Sequence, residues 1–415
     1  MPTILNNNTL LIIGLQYPEP TSTAAGSRML HIIQLIKSFG YKIHFATANP
    51  KNEFSANLNE FEIPVHQLAL NTSQANDTLK SINPNIVFFD RFITEEQFGW
   101  RIDECCSDAL KVLDTEDLHF LREAREQSLK VTSEVTKPIK LSEKTKRELA
   151  AIYRCDLTLM ISQAEIDILT KDYDIPKNLL FYLPFVYRTK SLSSQVSSGF
   201  SARSHFMSIG NFIHKPNLDM VMFLYKAIWP NIRSKLKDAQ WHIYGAYLPE
   251  QVRQLHQPQK GVLVKGRAEE VLTTMSSYSL MLAPLRFGAG LKGKCLDAMR
   301  AGTPSVTTPI GAEGISSAEH WPGCVAEDAE LFADSAIKLY QNENLWTSKQ
   351  QQGFEILRKN FDIETYSKDF QATLTERLKH LDSIRQQNIV GELLKHHHHR
   401  STKFMSLWIE EKNKN

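Results

Sequence analysis

Short apolar runs alternate with amphipathic stretches along most of the chain. Residues 10–15 are almost wholly apolar and predict a strand. Residues 16–25 hold Pro18 and Pro20 and predict a loop. Residues 27–39 place Leu30, Ile33, Leu35 and Ile36 on one helical face until Gly40 stops the helix. Strands are expected at 41–46, 65–70, 85–90, 109–113, 157–162 and 179–185, with helices ending at Ile82 and Tyr173 and others over 97–105 and 143–153. This βα rhythm is solved most economically by a parallel sheet covered on both faces, with ligands at the carboxyl ends of the strands. The serine-rich stretch KSLSSQVSSGFSARS breaks the pattern and predicts a linker over 191–204.

The rhythm then restarts. Strands are expected at 205–209, 241–244, 262–264, 280–285 and 305–308, with helices over 216–236, 250–256 and 269–278. Beyond Glu330 the pattern is all helical, and a tail that long is expected to dock on the first domain. The organisation read from this is α/β, with two doubly wound Rossmann-like domains facing a cleft. The boundaries are an N-terminal domain 1–190, a linker 191–204, a C-terminal domain 205–375 and a helical tail 376–415.

Composition adds constraints rather than a function. With 42% hydrophobic and 23% charged residues the 415-residue chain reads as soluble and globular, and a formal net charge of +2 demands no nucleic acid. The short apolar run near the N-terminus suits neither a secretory signal nor a spanning helix. The five cysteines form no CxxC pair, which fits a cytoplasmic protein, with contact at the inner face of a membrane left open.

The most informative stretch is APLRFGAGLKGKCLDAMRAG, residues 283–302: a strand end, a glycine-rich turn and a helix closed by Gly302. Gly288 and Gly290 allow backbone N–H groups to converge in front of the helix, where the helix tip and the ammonium groups of Lys292 and Lys294 favour an anion such as a diphosphate. Asp297, about one turn further on, is placed to accept hydrogen bonds from sugar hydroxyls. A turn that serves only packing, with solvated lysines, is the plain alternative. On the other half, Asp114, Glu116, Asp117 and His119 follow a strand end, and Gly26 and Arg28 follow the first strand as candidates to touch phosphate or acceptor. An ordinary surface role is the alternative for Arg28.

The second half resembles the nucleotide-sugar domain of the family 4 glycosyltransferases, which have the GT-B architecture. The resemblance is carried by SIGNFIHKPNLDMV (208–221), HIYGA (242–246), VLVKGRAEEV (262–271), APLRFGAGLKGKCLDAM (283–299) and AGTPSVTTPIGAEGI (301–315). The first half matches in rhythm and in the patches AAGSRML and DTEDLHFLRE. The resemblance implies transfer of a sugar from a nucleotide-diphosphate donor to a glycan or lipid-linked acceptor, usually with retention and without a metal or other cofactor. It also implies C-terminal helices that dock back on the N-terminal domain. Gly210, Asn211, Gly266 and Arg267 would face the donor, with the base by the last two. Asp297 would hold the ribose, and Gly288, Ala289, Gly290, Leu291, Lys292 and Lys294 the diphosphate, while His119 would face the sugar.

Two departures from the family pattern shift weight onto Lys292 and Lys294. The first of two glutamates usual around this turn falls near Arg286, which becomes a candidate for donor sugar or phosphate. The arginine and lysine usual after the first strand are replaced by Asn211, Lys215 and Asn217. His214 is a further cleft candidate. A nucleotide-sugar epimerase of the same architecture, or a partner-binding relative without activity, stays open at this level. The run His396 to His399 is expected to be an exposed helical patch, and Trp229, Trp241, Trp346 and Trp408 to be core or docking residues.

Overall fold

The computed structural model describes residues 8–130, 141–190 and 198–414. Its first sheet has the strands β1 (Thr9–Gly14), β2 (Lys42–Thr47), β3 (Val65–Gln67), β4 (Ile86–Asp90), β5 (Leu110–Asp114), β6 (Leu157–Met160) and β7 (Leu180–Tyr182). They pair in the order β3-β2-β1-β4-β5-β6-β7, every pair parallel. Strand β1 is buried along its whole length, as expected of a central strand covered on both faces.

The second sheet has β8 (Ser204–Ile209), β9 (Trp241–Tyr244), β10 (Val262–Gly266), β11 (Tyr278–Ala283), β12 (Ser305–Thr307) and β13 (Gly323–Val325), ordered β10-β9-β8-β11-β12-β13 and again parallel throughout. Both sheets reverse strand order beside their first strand, so each has a crevice at its carboxyl edge. The predicted α/β architecture of two doubly wound domains is what the chain adopts.

Several elements differ from the expectation for identifiable reasons. The helix expected over 216–236 is interrupted: Lys215–Phe223 runs into a π-turn, Leu224–Ile228, before Trp229–Lys235 resumes. Pro230 has no N–H and its ring crowds the preceding turn, and one wider turn relieves both problems. The helix Arg91–Cys105 starts directly at the end of β4, six residues before the periodicity shows it. The helix His119–Lys130 and the three-residue β13 were too weakly patterned to be expected.

The domain boundaries also move. Residues 191–197 of the expected linker lie outside the described residues, but Arg203 already belongs to the second domain, where its guanidinium bonds Thr303 Oγ1 (2.8 Å) and the Ala301 carbonyl (3.0 Å). The return crossing comes at Phe361–Asp362, earlier than the expected 375. Tyr187 N–H donates to the Phe361 carbonyl (2.8 Å) and Ile363 N–H to the Tyr187 carbonyl (2.9 Å), which sets the two crossings side by side. The helix Ile363–Lys379 buries Phe370 and Leu374 among Leu10, Ile12 and Phe88, inside the first domain's core.

The tail docks as expected. The helix Ile389–Lys414 packs on Arg91–Cys105 and Glu143–Arg154. Arg385 grips Asp156 with two nitrogens, each at 2.9 Å. Two expectations about this helix need correction. His399 faces inward, its Nδ1 2.7 Å from Asp103, whereas His396 and His397 are exposed. Burial alone would depress the His399 pKa, but the hydrogen bond to Asp103 and the Glu95 carboxylate 3.6 Å from Nε2 raise it. Trp408 lies neither in the core nor against the first domain: it is exposed, because the helix turns it away from the domain, while Trp229, Trp241 and Trp346 are buried.

Candidate functional site

The carboxyl edges of the two sheets face one cavity of about 310 Å³. One wall comes from the loop before the helix Ala24–Ser38 (residues 20–25), from Arg91 after β4, and from Glu116, Asp117, His119 and Arg122 after β5. The other comes from the ends of β8 (Gly210, Asn211, His214), β9 (Gly245, Ala246), β10 (Arg267) and β11 (Phe287 to Ala289 and Leu291 to Lys294), with Asp297 below.

The glycine turn is built as a close inter-domain approach. At Gly290 φ is +62°, and a Cβ there would lie 2.7 Å from the Asp117 Cβ and 2.9 Å from Ile161. At Gly293, the first residue of the helix Gly293–Arg300, a Cβ would meet Ala24 at 2.4 Å. The turn is then held to the first domain by polar contacts. One oxygen of Glu165 accepts from the N–H groups of both Leu118 (3.1 Å) and Gly290 (2.8 Å). Arg125 clasps both oxygens of Glu313 at 2.7 Å and also donates to the Gly288 carbonyl at 2.8 Å. At the cleft mouth Arg267 donates to Thr21 (2.9 Å) and lies over Phe54.

Lys292 and Lys294 both line the cavity. Lys292 curls under its own turn, Nζ 2.6 Å from the Gly290 carbonyl and 3.2 Å from that of Ala289. Burial depresses its pKa, while Glu313 and Glu165 pull it back up. Lys294 donates to Asn217 Oδ1, and burial lowers it to about 8. No side chain caps the Gly293–Arg300 helix, so its first N–H groups add to the two cations on the same wall. Asp297 has one oxygen on Arg300 (3.0 Å), and burial raises its pKa. His119 and His214 both face the cavity, and burial lowers each to about 4, so both rings are neutral near pH 7. His119 Nε2 lies 3.3 Å from Asp117.

Gly210, Asn211, Arg267, Gly288, Ala289, Leu291, Lys292, Lys294, Asp297, His119 and His214 are thus gathered on one cavity, and five other candidates are not. Arg286 points out, bound to Asp219 and stacked on Phe223, with its side chain 41% exposed. The turn buries Leu285 and Phe287, and alternation sends the residue between them to the surface. Arg28 lies inside the first domain, on Asp114 and the Leu183 carbonyl (2.9 Å), where it supplies the direct hydrogen bond to that buried carboxylate. Gly26 packs against the Glu19 backbone. Gly266 sits behind the wall, its carbonyl taken by Gly245 N–H (2.8 Å), and the Gly290 N–H is spent on Glu165.

Sequence reasoning passed over Arg91, Arg122, Arg125, Glu165 and Glu313. Arg122 and Arg125, three apart, would have stood out had the helix His119–Lys130 been expected. Glu313 lay in a turn read only for its small residues.

The chain matches the family described as "Glycosyl transferases group 1" over residues 203–342, the part that supplies β8 to β13 and the glycine turn. The whole chain has the GT-B fold of the glycosyltransferase structures it resembles. A glycosyltransferase from Rickettsia africae superposes with a TM-score of 0.65 at 11% identity, covering 90% of this chain and 99% of that one. HepE of Anabaena, solved with UDP-glucose, gives 0.66 at 13%, covering 89% and 99%. WaaG, described as a glycosyltransferase involved in lipopolysaccharide biosynthesis, gives 0.59 at 12%, covering 88% and 98%. A Klebsiella pneumoniae protein, described as an uncharacterized 44.6 kDa protein in a cps region, is 24% identical over 214 residues. That match spans 50% of this chain and 53%, about half, of the Klebsiella protein.

The buried acids and histidines of this domain pair predict an unusual pH response. Burial pushes Glu116 and Glu148 up to about 8 and Glu165 to about 7, and it lowers His31, His119, His214 and His242 to about 4. The raised carboxyls keep protons that the unfolded chain releases above about 4.3. Their contribution is complete below that value and is lost as pH climbs through 7 and 8. The histidines act oppositely. The unfolded chain takes up their protons below about 6.5, so their contribution is lost as pH falls from there toward 4. Melting temperature is expected to peak near about pH 6, where the two slopes cancel. A steady rise from pH 6 to 8 would contradict this assignment.

Proposed function

We infer that the chain is a glycosyltransferase that takes its sugar from a nucleotide-diphosphate donor, with retention at the anomeric carbon, and places it on a glycan or lipid-linked acceptor in polysaccharide assembly. The observation that carries this reading is the wall formed by the Gly288–Gly290 turn, the uncapped helix tip, Lys292 and Lys294. It faces the first-domain wall of Arg91, Glu116, Asp117, His119 and Arg122 across one cavity. The diphosphate rests on the cationic wall, the ribose on Asp297 and the base by Arg267. The transferred sugar lies toward His119 and Asp117, and the acceptor enters from the first domain's side.

As the bond from the anomeric carbon to the phosphate oxygen stretches, negative charge grows on the leaving diphosphate. Lys292, Lys294 and the preset N–H groups stabilise that charge without reorganising. His119 and His214, neutral, present ring nitrogens to sugar hydroxyls. The Klebsiella relative's cps region and HepE's UDP-glucose support this choice of acceptor class and donor.

A thermal-shift screen tests the reading. One class of nucleotide-diphosphate sugar is expected to raise the melting temperature in a saturable way, since a ligand that binds only the folded state stabilises it by mass action. Turnover of that donor is expected to survive EDTA, because protein cations meet the phosphate charge. A screen in which no donor shifts the transition would remove the proposal. Interconversion of the donor sugar without acceptor would instead identify an epimerase.

A further inference from the structure

The tail helix presents an outer face that the protein itself leaves uncovered. On Ile389–Lys414, residues Ile389 (67% exposed), Leu393 (58%), Phe404 (63%) and Trp408 (60%), with Val390 and Leu407, fall on one side of the helix. Their spacing of four, eleven, fifteen and nineteen residues keeps them within one stripe. The other side is fixed to the first domain by His399 on Asp103 (2.7 Å), Ser406 on Arg101 (3.2 Å) and Lys403 on Glu104. The stripe is therefore already ordered and directed outward before any partner arrives.

Charge decides what covers it. The apolar residues form two patches, Ile389 to Leu393 and Phe404 to Trp408, separated by exposed His396, His397 and Arg400. Lys412 adds an ammonium group over the Trp408 ring, 5.3 Å from its centre. The acids nearest the stripe are already neutralised, Glu392 by Lys395 (2.6 Å) and Glu411 by Lys414 (3.2 Å). A second copy of the helix would have to bury Arg400 and the two imidazoles in the middle of a drying seam, where residues 394–403 of either copy offer no carboxylate to pair with the guanidinium. An anionic bilayer surface offers hydrocarbon to the two patches and phosphate to Arg400 between them and Lys412 beyond them. Trp408 suits the boundary layer, where an amphipathic ring is favoured. Among the described residues no helix is long and apolar enough to cross a membrane. A helix of 26 residues, about 39 Å long, can instead lie along one.

We propose that the outer face of Ile389–Lys414 is a membrane-docking surface that holds the first domain against an anionic lipid bilayer. The claim goes beyond the transferase reading and is measured without donor or acceptor, so either can fail alone. The test is co-sedimentation of the full chain with phosphatidylcholine vesicles containing phosphatidylglycerol, beside vesicles of phosphatidylcholine alone.

Wild-type protein is expected to sediment with the anionic vesicles and to be released by high salt. The double variant Phe404→Ser, Trp408→Ser is expected to bind at least about tenfold more weakly, and Arg400→Glu to lose the preference for phosphatidylglycerol. All three side chains contact solvent, so melting temperatures should stay near wild type and show that the fold is intact. Equal sedimentation of wild type and double variant would overturn the proposal, as would wild-type protein left in the supernatant. A concentration-dependent dimer abolished by the double variant, with no vesicle binding, would assign the face to a second copy instead.

Discussion

Replacing Arg28 with alanine is expected to cost about 3–5 kcal/mol of stability, the largest single effect anticipated in the first domain. Arg28 and Asp114 are both almost completely buried, and the arginine also satisfies the Leu183 carbonyl. Neither group can reach water once its partner is gone. Burial already pushes the Asp114 pKa up against the pull of Arg28, so in the variant the carboxyl is expected to take a proton rather than stay charged. For a domain of this size the loss corresponds to a melting temperature roughly 6–20 °C lower. The variant Arg28→Met with Asp114→Asn, which removes both charges of the pair and leaves only Glu116, itself held up to about 8 by burial, is expected to recover most of it. A single variant that melts within two or so degrees of wild type would show that the pair is solvated.

The largest functional effect is expected at Lys292. Lys292→Met keeps the methylene stem and deletes the ammonium group. It should lower kcat/KM for the donor by about 10- to 150-fold, the equivalent of one charge-assisted hydrogen bond of about 1.5–3 kcal/mol. Because the lysine also ties the turn through the Ala289 and Gly290 carbonyls, a modest fall in melting temperature should accompany it. Lys294 supplies a separate check through pH. With its pKa lowered to about 8 by burial, it loses its charge as pH passes that value, so donor affinity should fall there, and the fall should vanish in Lys294→Met. Unchanged donor kinetics in Lys292→Met would mean that the diphosphate lies elsewhere.

How far the molecule was legible before folding varied with the kind of signal. Alternating apolar runs revealed both sheets because each central strand, such as β1 or β11, is buried on both faces and has to be apolar along its length. The cationic wall was legible because turn glycines, helix start and lysines are consecutive. Residues whose roles come from the opposite domain were not. Nothing beside Glu165 in the chain shows that it will accept the Gly290 N–H, 125 positions away. Arg28 and Arg286 were misplaced for one reason: sequence gives proximity to a strand end but not the side from which a side chain leaves it. The return at Phe361–Asp362 was hidden because the helix Ile363–Lys379 has the same amphipathic pattern whichever domain it covers.

That return makes the first domain discontinuous. Its core includes Phe370 and Leu374, while the second domain's core comes mainly from the uninterrupted segment 206–361, joined by Ile161, Phe185 and Tyr187 from the first half. On a translating ribosome the second lobe can therefore finish before the first. The N-terminal lobe, although made earlier, must wait with Leu10, Ile12 and Phe88 short of partners until the chain past Leu374 emerges. Chaperone demand during synthesis should fall on the half of the protein that is born first.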